Sequence, residues 1–182
     1  MADVPPTRGQ SICTLSGNDA VQTGTRKFVY FWLYGHATYG YAVRIDTYTA
    51  GSVDYGLTPL AGKLDDAGWL LIVSQLIPQE DGTRQIKTYI GTSTTITEYD
   101  PVAFTAGDYG TLEDGLSTVK ATIGAKCDGL TTGTVTEPLR ADMPTNDAWA
   151  VVLTQAEIKQ VFKYYKNKYP NIFTYDPETI GA

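Results

Sequence analysis

The sequence predicts an all-β protein, a two-sheet antiparallel jelly-roll sandwich closed by one short C-terminal helix. The composition is rich in threonine, with 13 tyrosines and 18 glycines, and such residues suit pleated strands joined by tight turns. Apolar residues alternate along several short segments that turn residues separate. One late segment instead repeats its apolar residues every three to four positions, which indicates a helix.

The chain is long enough for one well-formed core. It has 182 residues, of which 42% are hydrophobic and 19% charged, and this excludes a disordered chain. Pro5 and Pro6 exclude a helix near the N-terminus. We therefore expect an extended N-terminal arm over 1–10, a sandwich domain over 11–169 and a C-terminal tail over 170–182.

The first part of the chain predicts three strands, over Ser11–Leu15, Lys27–Tyr34 and Thr38–Asp46. The second of these is apolar on both faces, which is typical of a central strand. Gly35 and His36 are expected to form the turn that joins it to the third. The following segment, Ala50–Asp66, contains Gly51, Gly56, Pro59 and Gly62, and it is predicted to consist mainly of turns.

The middle of the chain predicts a β-hairpin. Trp69–Ile77 and Thr83–Gly91 are its strands, and Pro78–Gly82 is its loop. Three further strands are expected, with loops over 106–115 and 127–145 between them; they span Thr94–Phe104, Thr118–Gly124 and Asn146–Leu153.

The C-terminal helix has the clearest local signal. Thr154 and Glu157 have the spacing of a capping box, in which each side chain accepts a hydrogen bond from the backbone of the other. An apolar stripe follows at helical spacing, and Pro170 ends the helix. The stripe consists of Ile158, Val161, Phe162 and Tyr165.

The charge of the chain argues against nucleic-acid and membrane partners. A net charge of -6 and a pI near 4.7 repel phosphate backbones and anionic lipid. Basic residues cluster once, on the predicted helix, where we interpret them as a solvated face that complements the helix dipole. They are Lys159, Lys163, Lys166 and Lys168. We find neither a secretory signal nor an apolar run of about 20 residues that could cross a membrane.

Cys13 and Cys127 are not spaced as a metal-binding pair. We interpret them as small apolar residues. A disulfide between a first and a late strand fits a sandwich, but a chain folded in the cytosol usually forms none.

The order of motifs from residue 69 onwards resembles the laminin-G-like members of the concanavalin-A-like lectin/glucanase superfamily. The strand Trp69–Ile77 is followed by Tyr89-Ile90-Gly91, then by Thr122-Ile123-Gly124-Ala125, and finally by Leu153-Thr154-Gln155-Ala156-Glu157-Ile158 at the start of the helix. The family often has Asn-Gly where this chain has Ile90-Gly91. The resemblance covers residues 11–169 and implies the jelly-roll fold.

Catalytic residues of the glucanases in this superfamily are incomplete here. Those enzymes carry Glu-x-Asp-x-x-Glu on one strand, and two carboxylates act on the glycosidic bond. This chain supplies Glu98 and Asp100, but Ala103 occupies the position of the second glutamate, and Pro101 interrupts the strand. His36 is the single histidine, so a histidine-based triad or a multi-histidine metal site is not expected. We predict that the protein is not an enzyme.

No resident cofactor or metal is expected, although Ca²⁺ stays open. Domains of the resembled family often bind Ca²⁺ through loop oxygens, and aspartates in predicted loops could supply them. These aspartates are Asp65, Asp66, Asp108, Asp114, Asp128 and Asp142. Aspartates in glycine-rich turns more commonly make local hydrogen bonds.

Sugar binding would use exposed aromatic rings beside polar groups. The candidate glycan-binding residues are Tyr34, Tyr39, Tyr41, Tyr48, Tyr55 and Tyr109. Trp32, Trp69 and Trp149 lie in apolar segments and are expected in the core.

Three functions follow. The first is a structural or adhesive protein on the surface of a bacteriophage particle, as a capsid decoration or a fibre or receptor-binding protein, folded in the host cytoplasm. It would pair with itself, as a trimer, and with other virion proteins, and its arm and aromatic tail would dock on neighbouring subunits. The second is a lectin-like module that binds surface glycans. The third is a polysaccharide-degrading enzyme on the same fold.

Overall fold

The computed structural model describes residues 68–104 and 151–182, several strands elsewhere, and the single residues Met143 and Asp147. The other described strands span 9–17, 27–36, 40–49, 52–59, 119–123, 126–127 and 135–136. The chain divides into two compact units. The meander unit contains Ala2–Gly62 and Phe104–Asn146, and the helix unit contains Lys63–Ala103 and Asp147–Ala182.

The predicted β-rich class is confirmed. The described residues form two antiparallel sheets, a two-stranded ribbon and one α-helix. The arm over 1–8 lies outside the described residues, whereas Gly9 and Gln10, expected in that arm, already belong to the first strand.

The sheet of the meander unit has five described strands, namely β1 (Gly9–Gly17), β2 (Lys27–His36), β3 (Gly40–Thr49), β4 (Ser52–Pro59) and β9 (Val119–Ile123). Their order in the sheet is β4-β3-β2-β1-β9. The first four are consecutive in the chain, and all neighbours are antiparallel. A separate ribbon pairs β10 (Lys126–Cys127) with β11 (Val135–Thr136).

Two sequence predictions for this unit were wrong. His36 does not turn the chain, because it belongs to β2 and pairs with Gly40. Ser52–Pro59 is a strand, although its segment was predicted to consist of turns. This strand lies at one end of the described sheet order, and Pro59 is its last residue. At such a position a missing N–H costs little, so proline does not exclude a strand.

The buried residues described in the sheet of the meander unit lie on β2, β3 and β4. Leu33 of β2 is paired with Val43 of β3, which is itself paired with Thr58 of β4, and all three are buried. Ile45 is buried on the same face as Val43 because side chains alternate along a strand. Burial of each large aliphatic side chain contributes about 1.5–3 kcal/mol.

The sheet of the helix unit has β6 at its centre. β6 (Arg84–Gly91) pairs with β5 (Leu71–Pro78) along its length, with β7 (Ile96–Glu98) at one end and with β8 (Val102–Ala103) at the other. The segment predicted as one strand over Thr94–Phe104 is thus two short strands. They are separated by Tyr99, Asp100 and Pro101, and proline cannot donate a ladder hydrogen bond.

The predicted hairpin between β5 and β6 is confirmed. Its loop is closed by the N–H of Gln79, which donates to the carbonyl of Thr83 at 2.9 Å. The Asp81 carboxylate accepts from the hydroxyl and the N–H of Thr83, and these bonds lower the pKa of Asp81. Gly82 has φ +81°, a left-handed conformation that glycine adopts without strain.

Helix α1 (Gln155–Lys168) begins with the predicted capping box. The N–H of Glu157 donates to the Thr154 hydroxyl at 3.3 Å, and the N–H of Thr154 donates to the Glu157 carboxylate at 2.7 Å. Ile158, Phe162 and Tyr165 of the predicted stripe are buried. The helix ends at Lys168, two residues before Pro170.

The C-terminal tail folds back onto its own unit instead of leaving its aromatic residues for a neighbouring subunit. Phe173, Tyr175 and Ile180 are buried beside α1 and one face of the sheet. The N–H of Thr174 donates to the carbonyl of Ser93 at 2.6 Å. On this face of the sheet, the hydrophobic core comprises Val73, Tyr89, Ile158, Phe162, Phe173, Tyr175 and Ile180.

Two further predictions fail at the edges of this unit. The described part of Asn146–Leu153, namely Asp147 and residues 151–153, is not a strand. Instead, the N–H of Leu153 donates to the side-chain oxygen of Gln75 at 2.6 Å. Trp69 was expected in the core, but it precedes β5 and is 40% exposed. Trp149 lies outside the described residues.

Candidate functional site

The tyrosines predicted to bind sugar lie in different parts of the chain. Four belong to strands of the meander unit, namely Tyr34, Tyr41, Tyr48 and Tyr55. Tyr39 and Tyr109 lie outside the described residues. Tyr55 is half-buried, and its ring contacts a charged side chain of the neighbouring strand.

The pairing of β2, β3 and β4 brings Tyr55 close to an arginine and a tryptophan. Trp32 lies directly opposite Arg44, and Arg44 lies directly opposite Leu57. Tyr55 is two residues before Leu57 in β4, so strand alternation places it on the same face as Arg44. We call Trp32, Arg44 and Tyr55 the Arg44 row.

The guanidinium of Arg44 contacts both aromatic rings of the row. Its central carbon lies 4.0 Å from the ring centre of Tyr55 and 5.4 Å from that of Trp32. Both distances are within the range of cation–π attraction, which contributes about 0.5–2 kcal/mol per contact. All three side chains are half-buried and make further contacts within the chain. The guanidinium is thus held in place by the rings.

The chemistry of the Arg44 row suits a flat, amphipathic ligand. Aromatic rings offer apolar faces to the C–H groups of a sugar, and a guanidinium offers planar N–H donors to hydroxyl or carboxylate oxygens. Half-burial leaves part of each side chain at the surface. The sequence predicted Trp32 in the core, but Trp32 is only half-buried, because the strand register places it beside the charged Arg44.

A second aromatic cluster surrounds Lys168 at the end of α1. The Lys168 ammonium lies 5.5 Å from the ring centre of Tyr164, 5.8 Å from that of Tyr165 and 5.5 Å from that of Tyr169. The rings of Tyr165 and Tyr169 are parallel at 6.4 Å. The Tyr165 hydroxyl donates to the Asp147 carboxylate. We call Tyr164, Tyr165, Lys168 and Tyr169 the Lys168 cluster.

The Lys168 ammonium stays charged in this environment. Partial loss of hydration acts to lower the pKa of Lys168, but attraction to the phenolic oxygens of Tyr164, Tyr169 and Tyr165, together with a hydrogen bond to the Tyr164 hydroxyl, outweighs it, and the pKa is raised. Tyr164 is 56% exposed, an unusual exposure for so large a ring. The cluster therefore presents a fixed positive charge beside an open aromatic face.

The Lys168 cluster was not predicted, although the sequence contains a signal for it. Tyr164 and Lys168 are four residues apart, and so are Tyr165 and Tyr169. Residues at this spacing are neighbours on a helix surface. Lysines at this spacing also suit a solvated face, and only their combination with the tyrosines indicates the cluster.

Glu98, the first carboxylate of the incomplete glucanase motif, is engaged in structural contacts. It forms an ion pair with Lys87 at 2.8 Å and accepts a hydrogen bond from the N–H of Gly181 at 3.0 Å. Through these contacts it joins β6 and β7 to the end of the tail. Ala103, at the position of the missing glutamate, lies in β8.

The residues that the structure describes show neither a candidate metal site nor a membrane-spanning helix. Within the described ranges, no group of three or more histidine, cysteine, aspartate or glutamate residues is placed to hold a metal ion. The aspartates considered for Ca²⁺ all lie outside those ranges. In the part of the chain that the structure describes, no helix combines the length and the apolarity needed to cross a membrane.

Comparisons of this chain with protein-family models, with curated proteins and with solved structures gave no match.

Proposed function

We propose that the protein is a non-enzymatic adhesive module on the surface of a virus particle, and that the Arg44 row is its glycan-binding surface. The observation that carries the proposal is the contact of one guanidinium with two half-buried aromatic rings on one sheet face. Rings of this kind stack on sugars, and the guanidinium adds directional hydrogen bonds.

A non-enzymatic role is supported by the contacts of Glu98. A catalytic acid needs a second carboxylate about 5 Å away in a retaining glycosidase. The Glu98 carboxylate instead pairs with Lys87 and with the backbone of Gly181. Alanine at position 103 offers no acid in its place.

We also propose that the two sheets are arranged as a jelly-roll sandwich. Each sheet has an apolar face suited to such packing. In the helix unit, Ile86 and Ile90 are buried on the face opposite to Tyr89 and α1. In the meander unit, Leu33, Val43 and Ile45 are buried together. An experimental structure in which the sheets do not stack would contradict this arrangement.

A glycan array tests the binding surface. We expect saturable binding by the wild-type protein, weakened by about tenfold in Tyr55→Ala, because one aromatic contact contributes about 1 kcal/mol and also orients Arg44. Trp69→Ala is the matched control, since it removes a partly exposed ring in the other unit. Absence of binding to every glycan, or an equal loss in Trp69→Ala, would contradict the assignment.

The location on a virus particle rests on the resemblance to laminin-G-like domains, which also occur in phage particles. We expect mass spectrometry to detect the protein in purified particles. We also expect light scattering to show an oligomer, specifically a trimer. A monomer in solution that is missing from purified particles would contradict this part of the proposal.

A further inference from the structure

The exposed side of α1 has a local excess of positive charge in an acidic protein. Lys163, Tyr164, Asn167 and Lys168 are all exposed. At 3.6 residues per turn they occupy one face of about 140°. The chain as a whole has a net charge of -6, so the charge of this face is opposite in sign to that of the whole chain.

In the part of the chain that the structure describes, no carboxylate forms an ion pair with Lys163 or Lys168. Among the described residues, lysines form ion pairs at Lys87 with Glu98 and at Lys159 with Glu178, and Lys163 and Lys168 form none. The helix from Ile158 to Lys168 contains no aspartate or glutamate. An acidic ligand would therefore meet no like charge from this part of the helix.

The exposed ring adds a second kind of contact. Tyr164 leaves more than half of its surface open, and the Lys168 ammonium lies beside it at 5.5 Å. The three rings fix Lys168 by cation–π attraction, which lowers the entropy lost when a ligand binds it. A sugar ring stacked on Tyr164 would bring a substituent close to the ammonium.

We propose that the face formed by Lys163, Tyr164, Asn167 and Lys168 binds an acidic polysaccharide through uronate carboxylates. Tyr164 stacks on the sugar ring, Lys163 and Lys168 pair with carboxylates, and Asn167 bonds to hydroxyl groups. This inference rests on the proposed glycan-binding function, but it assigns a charged ligand class and a set of residues separate from the Arg44 row. Nucleic acid is the less favoured polyanion, because its denser charge is repelled more strongly by an acidic protein.

The test uses a fluorescent oligogalacturonate and its fully methyl-esterified form, which keeps the sugar and removes the charge. We expect binding of the acid form, weakened by about tenfold on esterification and by about tenfold in the double variant Lys163→Gln/Lys168→Gln. Tyr164→Ala should also weaken binding, whereas Tyr164→Phe keeps the stacking ring, although it removes the hydroxyl beside Lys168, and should bind more tightly than Tyr164→Ala. Moderate salt should weaken binding through screening.

Lys159→Gln is the matched control, because it removes the same charge from the same helix where Glu178 already pairs with it. Equal loss in this control and in the double variant would overturn the inference, as would wild-type binding by the double variant. Equal binding of poly-glutamate or of single-stranded DNA would also overturn it, by indicating a general polyanion surface.

The Tyr55→Ala variant, assayed in parallel, separates this inference from the proposed function. If Tyr55→Ala weakens binding to arrayed glycans while the double lysine variant binds oligogalacturonate unchanged, the inference fails and the Arg44 row stands. If the double variant loses oligogalacturonate and Tyr55→Ala loses nothing, the helix face is the glycan surface and the assignment of the Arg44 row fails.

Discussion

Gly91→Ala should destabilise the helix unit by crowding its core. A Cβ at this position would lie 2.9 Å from Cε1 of Phe162 and 3.0 Å from Cε1 of Tyr175. Both atoms belong to rings that are fully buried, so neither can move without disturbing the packing of α1 and the tail. Crowding of this kind costs about 1–3 kcal/mol.

The expected magnitude includes an opposing effect on the unfolded chain. Alanine restricts the unfolded chain more than glycine does, and this restriction raises the free energy of unfolding by about 0.4–1 kcal/mol where the native backbone is unstrained. The net loss in free energy of unfolding should then be about 1–2 kcal/mol. With a urea dependence of about 2 kcal/mol per molar for a domain of this size, the midpoint should fall by about 0.5–1 M.

Urea unfolding followed by ellipticity at 222 nm measures the effect, because this signal reports on α1. Gly68→Ala is the control, since its added Cβ would meet nothing within 4 Å. The smaller side chain in Phe162→Leu should relieve the crowding. The double variant should therefore lose at least about 0.5 kcal/mol less free energy of unfolding than the two single variants lose in sum. A Gly91→Ala protein as stable as the Gly68→Ala protein would refute the packing argument.

Two further predictions concern the tail and the helix cap. Tyr175→Phe should lower the free energy of unfolding by about 1 kcal/mol, because the hydroxyl donates to the carbonyl of Phe162 at 3.0 Å. Tyr175→Ala should lower it by about 3–5 kcal/mol, because it leaves a cavity. Thermal unfolding measures both losses, and equal losses would contradict this division. The hydrogen bonds from Thr154 lower the pKa of Glu157, so its contribution to stability is present above the unfolded-state pKa and is lost as the pH falls through the folded-state value. Glu157→Gln should therefore reduce the loss of helix signal on acidification, and an unchanged acid profile in this variant would contradict the capping interpretation.

The sequence located the elements whose signals are local. The capping box at Thr154 and Glu157 depends on residues three positions apart, and the hairpin loop at Asp81 and Gly82 is closed by hydrogen bonds within five residues. Such contacts form whatever the rest of the chain does. The strand over Ser52–Pro59 was missed because its partner, β3, stabilises it from outside the segment.

The candidate site was predictable in part. Tyr55 was among the predicted sugar-binding residues, but its contact with Arg44 depends on the register between two strands. Trp32 was expected in the core because its segment is apolar, whereas the register places it opposite a charged residue. The helical spacing of the lysines and tyrosines in the sequence indicates the Lys168 cluster, whereas the prediction for this helix face used only the charge of the lysines.

By itself, therefore, the sequence determined that this chain forms β-sheets with one capped helix, because alternation, turn residues and capping act between near neighbours. Only the tertiary structure decided that the aromatic tail is buried within its own unit, that Glu98 joins a sheet to that tail, and that Arg44 lies between two rings. Those outcomes depend on contacts between residues more than ten positions apart. Many such pairings satisfy the same local pattern, and the packing of the whole unit selects among them.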